Sequence, residues 1–340
     1  MTLQTSGRIS LGNINDEEGA SHTAGISLGN GAGRGMLGIP TGTVKLSDYY
    51  NKTFRAVKRL SLSGSYNPPV NLFSWATQLA RVPGKTDFIL TVSTGSTLNA
   101  ALYGNGFAID TGTGWTAGDT ITIYNYGTIT GRGGSGALAG YSNSVKNAPQ
   151  SGQPGEAGIK FQWPTTVYNY GIIGGGGGGG GATYPVIQVN YNSNVGYIYY
   201  VGVNGGGGGG GGNCYSNFSG YAFGDSAQPG GPTAGGDGQY FTNISPYAGQ
   251  FGSAAWGHGG AAGVSGGSGA SQPNEGYPWP GAGGGGGLGA SGGSGGSAAS
   301  YPGYLVGGPG SAGGAGGAAT IGANTYATWA VTGTRYGTIG

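Results

Sequence analysis

Between about Gly131 and Gly317 the chain keeps returning to runs of almost pure glycine. The purest are 174–181, 205–212 and 283–287, and looser runs join them at 131–140, 229–238, 257–269, 289–296 and 307–317. Glycine loses more backbone entropy on folding than any other residue and has no side chain to bury. Such a chain can stay a flexible linker, or its runs can settle into polyproline-II helices that pack side by side. That helix has three residues per turn, no internal hydrogen bonds and a rise of about 3.1 Å, so an eight-residue tract spans roughly 25 Å. Its N–H and C=O groups point outward and can pair with neighbours if nothing larger than hydrogen intervenes. The packed arrangement is the expectation here. The tracts alternate with segments of another kind, PVIQVNYNSNVGYIYYV, NCYSNFSGYAF, GQYFTNISPYAGQFGSAAWG, SQPNEGYPWP and SYPGYLV, and a bare linker has no use for tyrosine and tryptophan spaced in this way.

Composition narrows the function. With 86 glycines in 340 residues and 7% charged residues, the chain does not resemble an ordinary globular enzyme. Its net charge of +2 gives no reason to expect a nucleic-acid partner. Beyond Lys160 the only formal charges are Asp225, Asp237, Glu275 and Arg335, so this half meets its surroundings with Tyr, Trp, Asn and Ser. The 23 tyrosines argue against disorder. The lone Cys214 excludes an internal disulfide framework. The start, MTLQTSGRIS, lacks the basic and apolar regions of a secretion signal, and no apolar run is long enough to span a membrane. The expected site of synthesis is a cytoplasm.

Residues 1–55 contain an internal echo: Ile9-Ser10-Leu11-Gly12-Asn13 is matched by Ile26-Ser27-Leu28-Gly29-Asn30, and VKLSDYYNK follows at 44–52. Neither piece can bury much alone, so this is either a disordered arm or a docking segment that orders on a partner. The order and spacing of Met1, Leu3, Gln4, Ser6, Gly7, the two ISL triplets, Ile14, Glu17, Gly19 and VKLSDYYNK resemble the N-terminal segment of many tailed-phage structural proteins. The resemblance implies a virion-attachment module. It departs at Thr41-Gly42, where Ser-Gly is usual, and at the Gly-Asn after each ISL.

Residues 56–130 read as β structure. LSLSGSY, FILTVS, LNAALYG, FAID and TITIYNYGTI alternate with a period of two or are rich in β-branched residues, and PP, PGKTD, TGST and TGTGWTAGDT separate them as turns. The expectation is a small antiparallel β domain. VNLFSWATQLA (70–80) is the one helical stretch, with Leu72, Trp75, Ala76 and Leu79 on one face. TITIYNYGTITG (120–131) is then echoed by TTVYNYGIIG (165–174), and in both a strand ending Tyr-Asn-Tyr-Gly feeds a glycine tract. A duplicated strand-then-tract unit implies a repeat architecture in which neighbours cover each other.

A β domain followed by poly-glycine tracts with aromatic loops is similar to the receptor-recognising adhesins at the tail-fibre tips of some T-even-like phages. This resemblance spans about residues 120–330. It implies a sandwich of polyproline-II helices whose distal loops touch the host receptor. The chain end, TWAVTGTRYGTIG, resembles the closing strand of phage fibre proteins.

Chemical motifs are weak. Gly131-Arg132-Gly133-Gly134-Ser135-Gly136 fits a dinucleotide fingerprint, but no helical pattern or acidic residue follows it. PGKT at 83–86 lacks the first glycine of a P-loop, Leu79 standing there. His22 and His258 have no ligand partners at metal spacing, and Asp225, Asp237 and Glu275 are too scattered for a glycosidase pair. No catalytic, cofactor or metal site is expected.

The resulting expectation is an all-β chain with a polyproline-II bundle: a virion-attachment segment at 1–55, a β domain at 56–130, a glycine-rich sandwich at 131–320 and a closing strand segment at 321–340. Its function is that of a virion tail adhesin. Residues 1–55 would hold other phage tail proteins, and an outer-membrane protein or surface glycan of the host would be the receptor, with a homotrimer among the expected states. If the second tract runs outward, loops 183–201, 239–256 and 297–306 become distal, and Tyr191, Tyr197, Tyr247, Phe251, Trp256, Tyr301 and Tyr304 are the expected receptor contacts. Loops 141–164, 213–228 and 270–280, with Tyr215, Phe218, Tyr277 and Trp279 in reserve, would form the other set. The alternative is a purely structural fibre protein with the bundle as a stiff shaft. An ice-binding bundle would need a regular Thr or Ala face, and a surface hydrolase would need paired carboxylates.

Overall fold

A computed structural model of the chain describes residues 10–11, 13–14, 43–49, 55–66, 69–100, 106–137, 141–142, 145–146, 150–182, 186–192, 197–203, 231, 233–238, 257, 259–269, 282–297 and 309–340. Its strands fall into successive coils. The first holds β1 (Ala56–Leu62), β2 (Ser65–Tyr66) and β3 (Val70–Asn71), and the second holds β4 (Thr86–Val92), β5 (Thr97–Asn99) and β6 (Ile109–Asp110). The third begins with β7 (Thr120–Asn125) and β8 (Thr128–Thr130), runs out through the short hairpin β9 (Tyr141–Ser142) and β10 (Val145–Lys146), and closes with β11 (Ile159–Lys160). The fourth begins with β12 (Thr165–Asn169) and β13 (Ile172–Gly174), makes a longer excursion that includes the hairpin β14 (Val186–Asn192) and β15 (Tyr197–Val203), and closes with β16 (Thr320–Ile321). The fifth has β17 (Ala327–Val331) and β18 (Thr334–Tyr336).

First strands stack on first strands, second on second and third on third. The sheets are β1-β4-β7-β12-β17, β2-β5-β8-β13-β18 and β3-β6-β11-β16, with an isolated parallel bridge from Ile339 to Thr320 continuing the last. Every pairing within the three sheets is parallel. This is a three-sided parallel β-helix, and the antiparallel domain expected for 56–130 is corrected by it. Period-two alternation is the same in parallel and antiparallel strands; only the identity of the partner separates them. The segments read as turns are corners, each delivering the chain to a different face, so a strand meets its partner one full coil later, as Ala56 meets Thr86 and Phe88 meets Ile121. The strands of TWAVTGTRYGTIG pair with β12 and β13 in these same sheets.

The core fills the bore in registered layers. Leu60, Leu90, Ile123, Val167 and Trp329 lie in line across the first sheet, and Leu98, Ile129 and Ile173 across the second. Val70, Ile109, Ile159 and Thr320 line up across the third. Most of these side chains are fully buried. The helix α1 (Leu72–Gln78), capped by the Asn71 side chain accepting from the Ser74 amide, puts Leu72 and Ala76 into the core with Trp75 half-buried beside them. A second, single-turn helix α2 (Ala323–Tyr326) leads into β17.

The repeated Tyr-Asn-Tyr-Gly now has a physical account. Asn125 and Asn169 point into the bore, where Asn125 Nδ2 donates to Asn169 Oδ1 at 2.8 Å and Asn169 Nδ2 donates to the Thr332 carbonyl at 2.8 Å. Each buried amide thereby satisfies the corner of the next coil, as buried polar groups require. The flanking tyrosines face outward and stack, Tyr124 on Tyr168 at 4.7 Å and Tyr126 on Tyr170 at 5.0 Å. The glycine turns the corner: a Cβ on Gly171 would lie 2.0 Å from the Gly127 carbonyl oxygen.

Candidate functional site

The glycine-rich residues leave the β-helix at one corner. Tract 131–137 continues from β8 and 150–158 returns to β11; tract 174–182 continues from β13 and 309–319 returns to β16. Tract 174–182 lies at the centre of what they build. Its carbonyls accept in strict rotation: Gly174, Gly177 and Gly180 from the amides of Gly131, Gly134 and Ala137; Gly175, Gly178 and Gly181 from those of Gly289, Gly286 and Gly283; Gly176, Gly179 and Ala182 from those of Gly317, Gly314 and Ser311. Its own amides reach further tracts, Gly176 and Gly179 donating to Glu156 and Gln153, and Gly178 and Gly181 to Ala290 and Gly293. No carbonyl from Gly174 to Ala182 is left unpaired, as burial demands.

The same three-residue rhythm governs the space. A Cβ on Gly176 would sit 1.9 Å from the Arg132 carbonyl oxygen, on Gly177 1.9 Å from that of Gly286, and on Gly178 1.9 Å from that of Gly314. From Gly176 to Gly178 the central tract therefore admits nothing but glycine. Peripheral tracts expose every third residue and place a side chain there: Ser291, Ser294 and Ser297 in one, Ala312 and Ala315 in another. Tract 282–289 is central in its turn, bonded to 174–182, 233–236, 257–263 and 264–267 as well as to Gly293.

The bonds also sort the tract ends. Gly131, Gly158, Gly174 and Ala319 adjoin the β-helix, while Ala137, Ala182 and Ser311 lie at the remote end. Gly283 bonds to Gly181, Gly257 to Ala282, Gly238 to Gly257, Gly269 to Ser294 and Gly295 to Ser311, so these residues share that remote end. Hence the described residues flanking 138–149, 183–185, 239–256, 270–281 and 298–308 are all remote. The expected alternation had put 141–164 and 270–280 with the other set of loops. It fails because two near-end reversals need no loop: the chain turns at Gly263 and Gly289, both at positive φ, with Val264 bonded to Ala261 and Ala290 to Gly287. With those reversals spent on tight turns, the described flanks of 138–149, 239–256, 270–281 and 298–308 fall at one end, whereas Gly231, after 204–230, bonds to Ala234 beside Thr233, which accepts from the near-end Leu288.

Of the expected contacts, Tyr191 and Tyr197 lie on β14 and β15, which pair antiparallel with Tyr191 opposite Ile198 and Asn192 opposite Tyr197. Tyr247, Phe251, Trp256, Tyr301 and Tyr304 lie outside the described residues, as do Tyr215, Phe218, Tyr277 and Trp279 and the tract 205–212. Among the described residues there is no metal-binding group of His, Cys, Asp and Glu, and no helix long and apolar enough to cross a membrane.

Two ion pairs help hold the β-helix together. Arg55 forks onto Asp87, Nε donating at 2.8 Å and Nη2 at 2.6 Å, and Nη2 also reaches the Gly118 carbonyl at 2.8 Å. Burial pushes the Asp87 carboxyl up, yet the bonds from Arg55 and Thr120 and the Arg55 charge together hold it below the usual carboxylate value. The Asp87 hydrogen bond raises Arg55 in turn. Arg81 donates to the buried Asp119 at 2.6 Å.

Compared with known proteins, residues 57–340 match the model of the phage tail fibre adhesin Gp38 family. The chain belongs to that family. It is a receptor-binding adhesin of a phage tail fibre, and its place is the virion tail. A search of the curated proteins found no match. One solved structure, the gp37–gp38 adhesin tip complex of the bacteriophage S16 long tail fiber, is similar over 98% of this chain and 99% of that one, at 19% identity and a TM-score of 0.45.

Proposed function

We propose that this adhesin binds its host receptor with the remote end of the glycine-rich layer. The carrying observation is the convergence of the described flanks of 138–149, 183–185, 239–256, 270–281 and 298–308 on that end. The tracts supporting it are read as polyproline-II helices, since hydrogen bonds and steric contacts both repeat every third residue and no helix or strand ladder accounts for them. Their backbone pairing holds the loop ends without calling on loop side chains.

Tyrosine and tryptophan suit the binding role because they offer large contact area at low entropic cost and carry a polar handle. Tyr191, Tyr197, Tyr247, Phe251, Trp256, Tyr301 and Tyr304 are the proposed contacts, and Tyr277 and Trp279 join them because their loop is flanked at the same end. The receptor is an outer-membrane protein or a surface glycan. Residues 1–55, which precede the family match, join the adhesin to other tail proteins. The central tract is satisfied within one chain, so a second copy is not required to complete it.

Alanine substitutions in each loop, scored by competition of purified protein against virion adsorption, test the assignment. Loss of competition with an unchanged melting temperature is expected. Full competition from all the variants would remove the remote end as the binding surface and favour a purely structural shaft.

A further inference from the structure

The outer face of the first sheet, β1-β4-β7-β12-β17, combines hydroxyl rows with an exposed tyrosine stack. Register places Arg59, Ile89, Thr122, Thr166 and Thr328 in one row across it. The next outward row holds Ser61, Thr91, Tyr124 and Tyr168. Beyond them Tyr126 and Tyr170 stack almost parallel, 5° apart, and remain 43% and 54% exposed.

Three properties coincide on this face. The outward hydroxyls of Thr91, Thr122, Thr166, Thr328 and the four tyrosines make no hydrogen bond within the protein among the described residues, so each keeps a donor and acceptors for a ligand. Charge is nearly absent: Asp87 is neutralised by Arg55 at the sheet's corner, and Arg59 stands alone on the edge strand. The Tyr126–Tyr170 stack stands beside these rows, its two rings facing along the coil repeat of about 4.8 Å and each partly exposed.

We propose that this sheet face is a lateral carbohydrate-binding site for a neutral, linear surface polysaccharide. Pyranose rings have apolar C–H faces that lie on the tyrosine rings, and their hydroxyls exchange hydrogen bonds with the threonine rows. With Arg59 the one uncompensated charge and standing on the edge strand, the threonine and tyrosine rows suit a neutral polymer better than a polyanion. A flat site excludes little water, so single-chain affinity is weak and is amplified only when several adhesins on one virion engage the same glycan layer. The role is reversible capture of the cell coat, beside the tip binding proposed above and independent of it.

Affinity electrophoresis of the full-length protein through gels containing dextran, yeast mannan, galactan or, as the anionic arm, polygalacturonate tests this without cells. Retardation by at least one neutral polymer is expected, with Tyr126→Ala plus Tyr170→Ala weakening it about fivefold or more. Because losing a stack can also loosen the coil, Thr166→Arg is run beside it. That change raises a bulky charged side chain in the hydroxyl row and leaves both stacks in place, and it is expected to weaken retardation as strongly with an unchanged melting temperature. No retardation in any neutral gel, retardation in the anionic gel alone, or retardation that survives both face variants would overturn the proposal. Retardation lost only in the remote-loop variants would also overturn it, and would assign the glycan to the tip.

Discussion

The severest demand in the molecule is that positions 174–181 all be glycine, and Gly178→Ala tests it. The new Cβ would lie 1.9 Å from the Gly314 carbonyl oxygen, 2.5 Å from its carbon and 2.8 Å from the Ala315 oxygen. Ordinary contacts to oxygen begin well beyond 3 Å, so tract 309–319 must retreat by more than 1 Å. That retreat strains or breaks the bonds donated by Ser311, Gly314 and Gly317 to Ala182, Gly179 and Gly176, at 3.0, 2.7 and 2.7 Å. Overpacking alone costs about 1–3 kcal/mol, and each backbone bond contributes a net of about 0.5–1.5 kcal/mol. With two or three bonds lost, destabilisation of roughly 3–6 kcal/mol is expected, a large fraction of the ~5–15 kcal/mol that holds a typical domain.

The comparison is Gly231→Ala, where the added Cβ meets nothing nearer than the Ala234 oxygen at 3.8 Å and φ is not positive. This change should fall within about 0.5 kcal/mol of neutral, as surface substitutions do. At about 2–4 °C per kcal/mol for a domain of this size, Gly178→Ala should lower the melting temperature by on the order of 10 °C and Gly231→Ala should leave it in place. Gly176→Ala and Gly177→Ala, which face other tracts, should be as severe as Gly178→Ala. Scanning calorimetry of the four variants decides the matter. Equal melting temperatures for Gly178→Ala and Gly231→Ala would refute the interlocked layer.

The Arg55–Asp87 pair makes stability depend on acid. A carboxyl held below its usual value stabilises the fold above about pH 4 and loses that contribution as pH falls through its folded value. Asp87→Asn should therefore melt below wild type at pH 7, with the gap narrowing toward pH 3; a gap independent of pH in thermal melts would contradict the linkage. Deleting residues 1–54, which spares Arg55, should leave the remainder folded by circular dichroism and remove it from purified virions on immunoblots. Finding the truncated chain on particles would withdraw the docking role.

Much of this architecture was legible, at different depths. The glycine runs and the doubled Tyr-Asn-Tyr-Gly announced that strands feed tracts and that the unit repeats, and both features lie in adjoining coils. The parallel winding was not legible, because alternation such as that of Thr86–Val92 records which face is buried and not which strand lies alongside. One signal was present and went unread: SGGSGGS at 291–297 and SAGGAGGA at 311–318 repeat every three residues, and that period marks a peripheral tract with one open side. Runs without such a side chain, 174–181 and 283–287, are the central ones. The sorting of loops was only half accessible, since the reversals at Gly263 and Gly289 look in sequence like any other glycine.

The two halves of the structure solve different problems, and their junction explains why an adhesin would combine them. The β-helix has a side-chain core in which Leu90, Ile123 and Val167 must fit one another, so its sequence is constrained at each layer. The glycine layer has no such core. Its stability comes from backbone bonds that are indifferent to the sequence between tracts, and the chain crosses the junction at Gly131, Gly158, Gly174 and Ala319, each anchored by a strand of the β-helix. The junction is thus fixed covalently and by sheet registry, and a force on the remote end is spread over several strands. A connection at that end can then change length and composition without disturbing the scaffold, provided its two flanking tracts keep their triplet rhythm. Preorganised ends also reduce the entropy lost when a loop is fixed on a receptor. Under the proposed function, the connections at the remote end answer to the receptor and the backbone bonds between tracts answer to the fold.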